Sequence, residues 1–434
     1  MSHPASSSSI SRAARSLEMR SQGIAPHPWR ILLVLASINL VSYATRNALF
    51  AVVPDLEHRF GVGDADVGLL QTVFMIPHAC ATLPFGWAGD RFDRRRVIAL
   101  GLAFGSLACA VSAATSSFTT LAITRGVVGF GTAAVVPVAN SIIGQIFDGP
   151  HKASRLSIFN LGLFLGGVVG FGTGIAFGFP VVVIVLAIPG IVLSAALVAL
   201  WVPPHPAPHP GHLGDFLREL AAEGKALLRI RTLRWVMLST TFMAFAAGGY
   251  TAWLNEFLMR EKGMSKASAG TLLGLALVGG LSGILVGGRV ADWLRTRFAA
   301  GRLWTIVAGM TLTIPCAVCA IELPAGPMLY VAGVATMFFI SWYHAPMAAS
   351  VDDLAPAASA VGAQGLVIFT MHLFGTSPAS WVVGLVSQYS SLWVGMWVPT
   401  ISLVIAALAM LAATPSFAAD HVRARGGTRA PASL

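Results

Sequence analysis

Gly86-Trp87-Ala88-Gly89-Asp90-Arg91-Phe92-Asp93-Arg94-Arg95-Arg96 packs its charges into the last seven residues, between two long apolar segments. A weaker copy, Gly288-Arg289-Val290-Ala291-Asp292 followed by Arg295 and Arg297, stands in the second half of the chain. Such charge is exceptional here: the 434 residues are 56% hydrophobic and 11% charged, with a mean hydropathy of +0.75. Soluble domains carry about 25% charged residues. A charged connection repeated in a lipid-like chain implies two similar halves joined head to tail.

Outward from these connections the sequence reads as bilayer spans. A crossing takes about 20 apolar residues. Twelve segments qualify, at roughly 31–53, 67–89, 97–117, 118–145, 153–178, 180–202, 234–257, 267–291, 303–322, 326–349, 358–387 and 391–413. The expected fold is an all-α membrane protein of twelve transmembrane helices in two six-helix halves. The expected parts are a disordered tail (1–29), a first half (30–202), a linker (203–233), a second half (234–414) and a C-terminal tail (415–434).

The net charge of +10 is unevenly placed. With the N-terminus inside, the outer segments hold only Arg59, Arg260, Lys262 and Lys266, and Arg46 and Arg125 fall within spans. All other basic residues lie on the cytoplasmic side. This positive-inside asymmetry puts both termini in the cytoplasm and argues against nucleic acid as the partner. Arg-heavy, Lys-poor loops suit a bacterial inner membrane. Cys80, Cys109, Cys316 and Cys319 all fall in spans, where cysteine acts as a small apolar residue. No metal-ligand cluster, nucleotide-binding loop or nucleophile constellation is legible, so neither an enzyme nor a cofactor is expected.

The linker opens Pro203-Pro204-His205-Pro206-Ala207-Pro208-His209-Pro210, which cannot be helical. After it, Asp215 can cap a short helix with Phe216, Leu217, Leu220, Leu227 and Leu228 on one face. That pattern fits an amphipathic helix lying on the membrane surface.

Six spans, a linker and six more spans, with a charged connection after the second span of each half, resemble the major facilitator superfamily. The first connection is similar to its G-x-x-x-D-R-x-x-R-R signature; the second keeps Asp292 without the adjacent Arg. The resemblance implies a cytoplasmic gate built from Gly86, Asp90, Arg91, Arg94, Arg95, Asp292 and Arg295. Topology enforcement alone is the simpler role for these residues. Pro54-Asp55-Leu56-Glu57, Gly68-Leu69-Leu70-Gln71-Thr72-Val73-Phe74, Thr124-Arg125-Gly126-Val127-Val128-Gly129-Phe130-Gly131 and Ser154-Arg155-Leu156-Ser157-Ile158-Phe159 resemble the Spinster family within that superfamily. Gln364 and His372-Leu373-Phe374-Gly375 fit it more loosely. Spinster-like proteins move lysophospholipids and similar amphiphiles. Three acids usual in that family are absent: threonine stands at Thr45, Thr132 and Thr376.

Charge inside a span costs about 2.5–3.5 kcal/mol even on insertion scales, and is a functional hypothesis by default. Arg46 and Arg125 each lie about 10 Å below the outer surface at 1.5 Å per helical residue. No acid lies at that depth in the first six spans. The pair is expected to hold the anionic head of a small-molecule or lipid-like substrate, with Thr45, Thr132 and Asn140 as neutral hydrogen-bonding neighbours. Snorkelling of Arg46 and carbonyl bonding by Arg125 are the alternative roles. His78, His344 and His372 are titratable groups within spans, and Glu256 ends the seventh; each is a possible proton carrier. Gly162, Gly166, Gly170, Gly174 and Gly178 stripe the fifth span at spacings that allow close helix contact.

The expected function is alternating-access transport of an amphiphilic or small organic anion by a monomer in contact with membrane lipids, and the Spinster resemblance implies a lysolipid. A carboxylate or drug exporter of the same superfamily is one alternative. A transport-inactive receptor or scaffold is another.

Overall fold

The computed structural model describes residues 27–147, 152–203, 212–355 and 360–424. They are overwhelmingly helical. In hydrocarbon every backbone N–H and C=O must be satisfied within the chain, and a helix does this segment by segment. Eleven helical stretches are long and apolar enough to cross a bilayer. Arg231–Arg260, with 30 residues, is long enough but is not among the eleven. It carries Arg231, Arg234, Glu256 and Arg260, and it occupies the place of the expected seventh span.

The described residues fall into two packing units. One runs to Leu49 and resumes at Cys80; the other comprises Phe50–Ala79 and everything from His212 onward. The first unit contains α1 (Pro28–Asn47) and, beyond the short α2 (Val53–Phe60), the second part of α3 (Asp64–Arg91). It continues with α4 (Arg94–Val111), α5 (Phe118–Thr132), α6 (Val135–Ile146), α7 (Lys152–Phe177) and α8 (Val181–Ala199). Its core joins Leu32, Leu35 and Ile38 to Ile98, Leu102, Val138, Ile142, Phe159 and Leu197.

Close contact in this unit depends on glycine. A Cβ on Gly131 would lie 2.4 Å from the Gly101 carbonyl oxygen, so α5 meets α4 backbone to backbone. A Cβ on Gly166 or Gly170 would lie 2.5 or 2.4 Å from the carbonyl oxygens of Leu40 and Ala44. The glycine stripe therefore seats α7 on α1. Outward, Leu100, Leu107, Ile188 and Val192 are exposed, as a lipid-facing surface requires.

The second unit holds α2 and the first part of α3, then α9 (Leu213–Leu227), α10 (Arg231–Arg260), α11 (Lys266–Arg295) and α12 (Gly301–Glu322). After these come α13 (Pro327–Ile340), α14 (His344–Leu354), α15 (Ala360–Thr370), α16 (Ser377–Tyr389), α17 (Leu392–Gly395) and α18 (Trp397–Ala424). Its core gathers Val236, Met243, Ile306, Met310, Val351, Val367, Met410 and Phe417. α3 lies tightly on α16: a Cβ on Gly68 would fall 2.4 Å from the Ser380 carbonyl oxygen, and Thr72 Oγ1 donates to the Ser377 carbonyl at 2.6 Å. Trp253, almost fully buried, donates its indole N–H to the Ser380 carbonyl at 2.8 Å.

Several expected spans are broken rather than continuous. A 3-10 turn separates α13 from α14 at Ser341–Tyr343, and a π-helical turn, Met371–Thr376, separates α15 from α16. The amphipathic linker helix is α9, but Asp215 is its third helical residue and not its cap. His212 is the cap, and its backbone N–H donates to Asp215 Oδ2 at 3.3 Å. Leu227 is the buried residue of that helix. Residues 204–211 of the Pro/His run, 1–26 of the first tail and 425–434 of the last lie outside the described residues, and 415–424 continue α18 as helix.

Candidate functional site

Arg125 is 2% exposed, on α5 in the first unit. Its Nη1 donates to the Thr45 carbonyl at 3.3 Å and its Nη2 to the Arg46 carbonyl at 3.5 Å. α1 ends just there and tightens into a 3-10 turn, Ala48–Ala51. Carbonyls in a last helical turn carry partial negative charge and attract a cation. The helix end thus supplies acceptors for this guanidinium. Asp93, whose carboxylate is the one described in this unit, lies at the opposite end of α4, bound to Arg95.

Arg46 is partly buried, with its guanidinium 5.8 Å from the centre of the Tyr43 ring. The structure therefore brings Arg46, Arg125 and Thr45 together. The Arg125 guanidinium reaches these two carbonyls at distances long for charge-assisted hydrogen bonds. A phosphate or carboxylate offers a better match for planar guanidinium forks. Thr132 Oγ1 donates back to the Val128 and Gly129 carbonyls of its own helix, at 3.0 and 3.1 Å. Asn140 is exposed on α6, beyond the break at residues 133–134.

At the other end of the unit, the charged connection is tied down by its arginines. Asp93 caps α4 by accepting from the Arg95 N–H at 3.0 Å. The Arg95 guanidinium, hydrogen-bonded to Asp93, holds that carboxyl below its usual range. Arg95 Nη1 also reaches the Leu200 carbonyl past α8 at 2.6 Å. Arg94, buried, donates to the Gly89 carbonyl at 3.2 Å and to Gln145 Oε1 on α6 at 2.8 Å. Arg91 lies over the Trp87 ring at 5.2 Å. A Cβ on Gly86 would meet nothing within 4 Å. The side chain of Asp90 lies outside the described residues.

The second copy differs. Asp292 and Arg295 are exposed, and Arg297 stacks on Trp293 at 3.9 Å. The residue that binds this end of the second unit is Arg302, paired with Asp353 and also donating to the Ala349 carbonyl at 3.4 Å. Sequence reading passed over Gln145, Leu200, Arg302 and Asp353, because side-chain-to-carbonyl ties have no spacing rule.

Of the histidines, two come together in the second unit. The His78 and His372 rings meet edge to face at 6.5 Å, with Phe74 stacked on His78 at 5.7 Å. His372 sits in the π-helical turn, and its Nδ1 is 3.5 Å from Thr376 Oγ1. His344 is placed apart: its Nδ1 is 3.1 Å from the Ser341 carbonyl oxygen of the preceding turn.

Glu256 is buried in a network that sequence reading mostly missed. Its Oε1, Glu57 Oε2 and Asp64 Oδ1 all accept from the guanidinium of Arg260. Ser387 donates to Asp64 Oδ2. The signal was present in part, since Glu256 and Arg260 are four apart on a helix.

Comparison with known proteins fits this frame. Residues 35–300 match the Major Facilitator Superfamily model. The chain is similar to the sphingosine-1-phosphate transporter SPNS2 of Mus musculus, at 27% identity over 82% of this chain and 69% of that protein. It is 32% identical to protein spinster homolog 1 of Mus musculus, over 54% of this chain and 47% of that one. In three dimensions it resembles a bacterial homolog of the human lysosomal transporter Spinster, crystallised inward-facing and unoccupied. There the TM-score is 0.76 and the identity 21%, covering 91% of this chain and 98% of the other. The chain, a membrane transporter and not an enzyme, belongs to the Major Facilitator Superfamily.

Proposed function

We propose that this transporter carries an amphiphilic anion with a phosphate or carboxylate head and a single apolar tail, a lysolipid-like molecule. The observation that carries the proposal is Arg125, buried beside Arg46 with helix-end carbonyls as its acceptors. An arriving anion would exchange weak carbonyl contacts for charge-assisted, bidentate ones. The sphingosine-1-phosphate transporters among its relatives carry cargo of this chemistry. The basic residues orient both termini toward the cytoplasm. On that orientation Arg94 and Arg95 lock the cytoplasmic ends of α3, α4, α6 and α8 in the first unit, through Gly89, Gln145 and Leu200.

Binding discriminates among the candidates. Titration of the purified protein with a phosphate-headed single-chain lipid, and with the same chain on an uncharged head, is expected to show at least tenfold tighter binding of the anion. The gap should narrow for Arg46→Gln. Charged hydrogen bonds contribute about 1.5–3 kcal/mol, and tenfold in affinity is about 1.4 kcal/mol. Equal affinity for the two heads would contradict the proposal. Preference for a short carboxylate without a tail would favour a carboxylate exporter.

A further inference from the structure

The network around Arg260 has a charge imbalance that the substrate reading does not use. One guanidinium faces Glu57 on α2, Asp64 at the start of α3 and Glu256 on its own helix. Fully ionised, the carboxylates outnumber the arginine by two. Glu256 is 2% exposed, and its Oε2 makes no hydrogen bond. Glu57 and Asp64 are themselves in hydrogen-bond contact, which two ionised carboxylates cannot maintain. One shared proton satisfies that contact and halves the excess of negative charge.

Other polar groups surround the network. From α16, Ser387 donates to Asp64, and Gln388 Oε1 accepts the Ala65 N–H at 3.1 Å. From the start of α11, Lys266 acts on Glu256 electrostatically. On α2 itself stand Asp55, His58 and Arg59, the last lying 5.7 Å over the Phe60 ring. Asp66 accepts the Gly63 N–H at 3.4 Å, and Glu261 accepts the Trp393 N–H at 3.3 Å.

We propose that this cluster is a proton-operated lock. Proton uptake by Glu57 holds α2 and the start of α3 against α10 and α16, and loss of that proton weakens the hold. The lock lies at the end remote from the charged connections, which the basic residues orient outward. It joins segments from the two sequence halves, so alternating access toward that side must part it.

The sign follows from linkage. Burial, then the bond with Asp64, raises the Glu57 carboxyl to about 7 in the locked arrangement, with Arg260 opposing. Parted and hydrated, a glutamate returns to about 4.3. The locked form is therefore the one that holds the proton between those values. Its advantage is complete below the lower value and is lost as pH rises through about 7. From pH 8 to pH 6 the locked-to-open ratio should rise about tenfold.

The test is the distance distribution between nitroxides at His58 and Tyr389, both exposed, in lipid nanodiscs. The full chain is used with Cys80, Cys109, Cys316 and Cys319 replaced by alanine. Acidification from pH 8 to pH 6 should raise the ratio of the short-distance to the long-distance population about tenfold. Glu57→Gln should show that population at both pH values, whereas Glu261→Gln should keep the normal response. An unchanged distribution between pH 8 and pH 6, or a normal pH response in Glu57→Gln, would overturn the proposal. The labelled chain with Glu57 intact decides the question should Glu57→Gln fail to give a monodisperse protein. No substrate enters the measurement, so the lock stands or falls independently of the cargo.

Discussion

Arg125→Gln is expected to lower transport of a phosphate-headed single-chain lipid by tenfold to a hundredfold, at equal amounts of reconstituted protein. The range follows from removing a charged donor worth about 1.5–3 kcal/mol from a buried site. Arg125→Lys should fall between. It keeps the charge but replaces a planar fork with a compact ammonium that cannot bind two oxygens in the same way. Arg125 also closes the end of α1 through the Thr45 and Arg46 carbonyls. The two roles separate in the readout. A purely structural arginine would lower thermal stability and all transport alike. A head-group ligand would lower binding of the anion more than binding of an uncharged analogue. Unchanged flux in Arg125→Gln would remove the residue from the site.

Gly170→Leu should have an effect of comparable size through packing. A Cβ there would sit 2.4 Å from the Ala44 carbonyl oxygen, a backbone atom with no rotamer to yield. Overpacking a filled core costs about 1–3 kcal/mol when side chains can move, and backbone contact puts this site at or above the upper end. The melting temperature should fall by several degrees or more. Transport should fall with it, because α1 carries Thr45 and Arg46 just beyond the contact. Gly172→Ala, which would meet nothing within 4 Å, is the matched control and should behave normally. Normal stability in Gly170→Leu would show that α7 does not seat on α1 as described.

The parts of this molecule legible in its sequence were those with a repeating period. Apolar runs and the charged connections marked the spans, and spacing four marked the glycine face of α7. The breaks inside spans were not legible. Residues 133–134, 341–343 and 371–376 contain no proline, and only tertiary contacts decide where a helix tightens or widens. Arg94 and Arg95 were visible as charge, whereas Gln145 and the Leu200 carbonyl became their partners only on folding.

The candidate site was legible in the same partial way. Depth along the helices put Arg46 and Arg125 at one level, because helical rise is constant. That arithmetic could not rotate Asn140 or reveal that Thr132 bonds its own backbone. Nor could it show Phe50–Ala79 packing with the second unit, which brought Glu57 and Asp64 onto Arg260. Sequence repeats record descent of the halves, whereas packing units record contacts.

The central claim is that the protein moves an amphiphilic anion selected by its head group. Its most direct test is flux into proteoliposomes, comparing one acyl chain carrying a phosphate head with the same chain carrying an uncharged head. The account predicts saturable flux of the phosphate-headed lipid and at least tenfold less of the uncharged one. Equal flux of both, or tight binding of the anion with no flux at all, would contradict it.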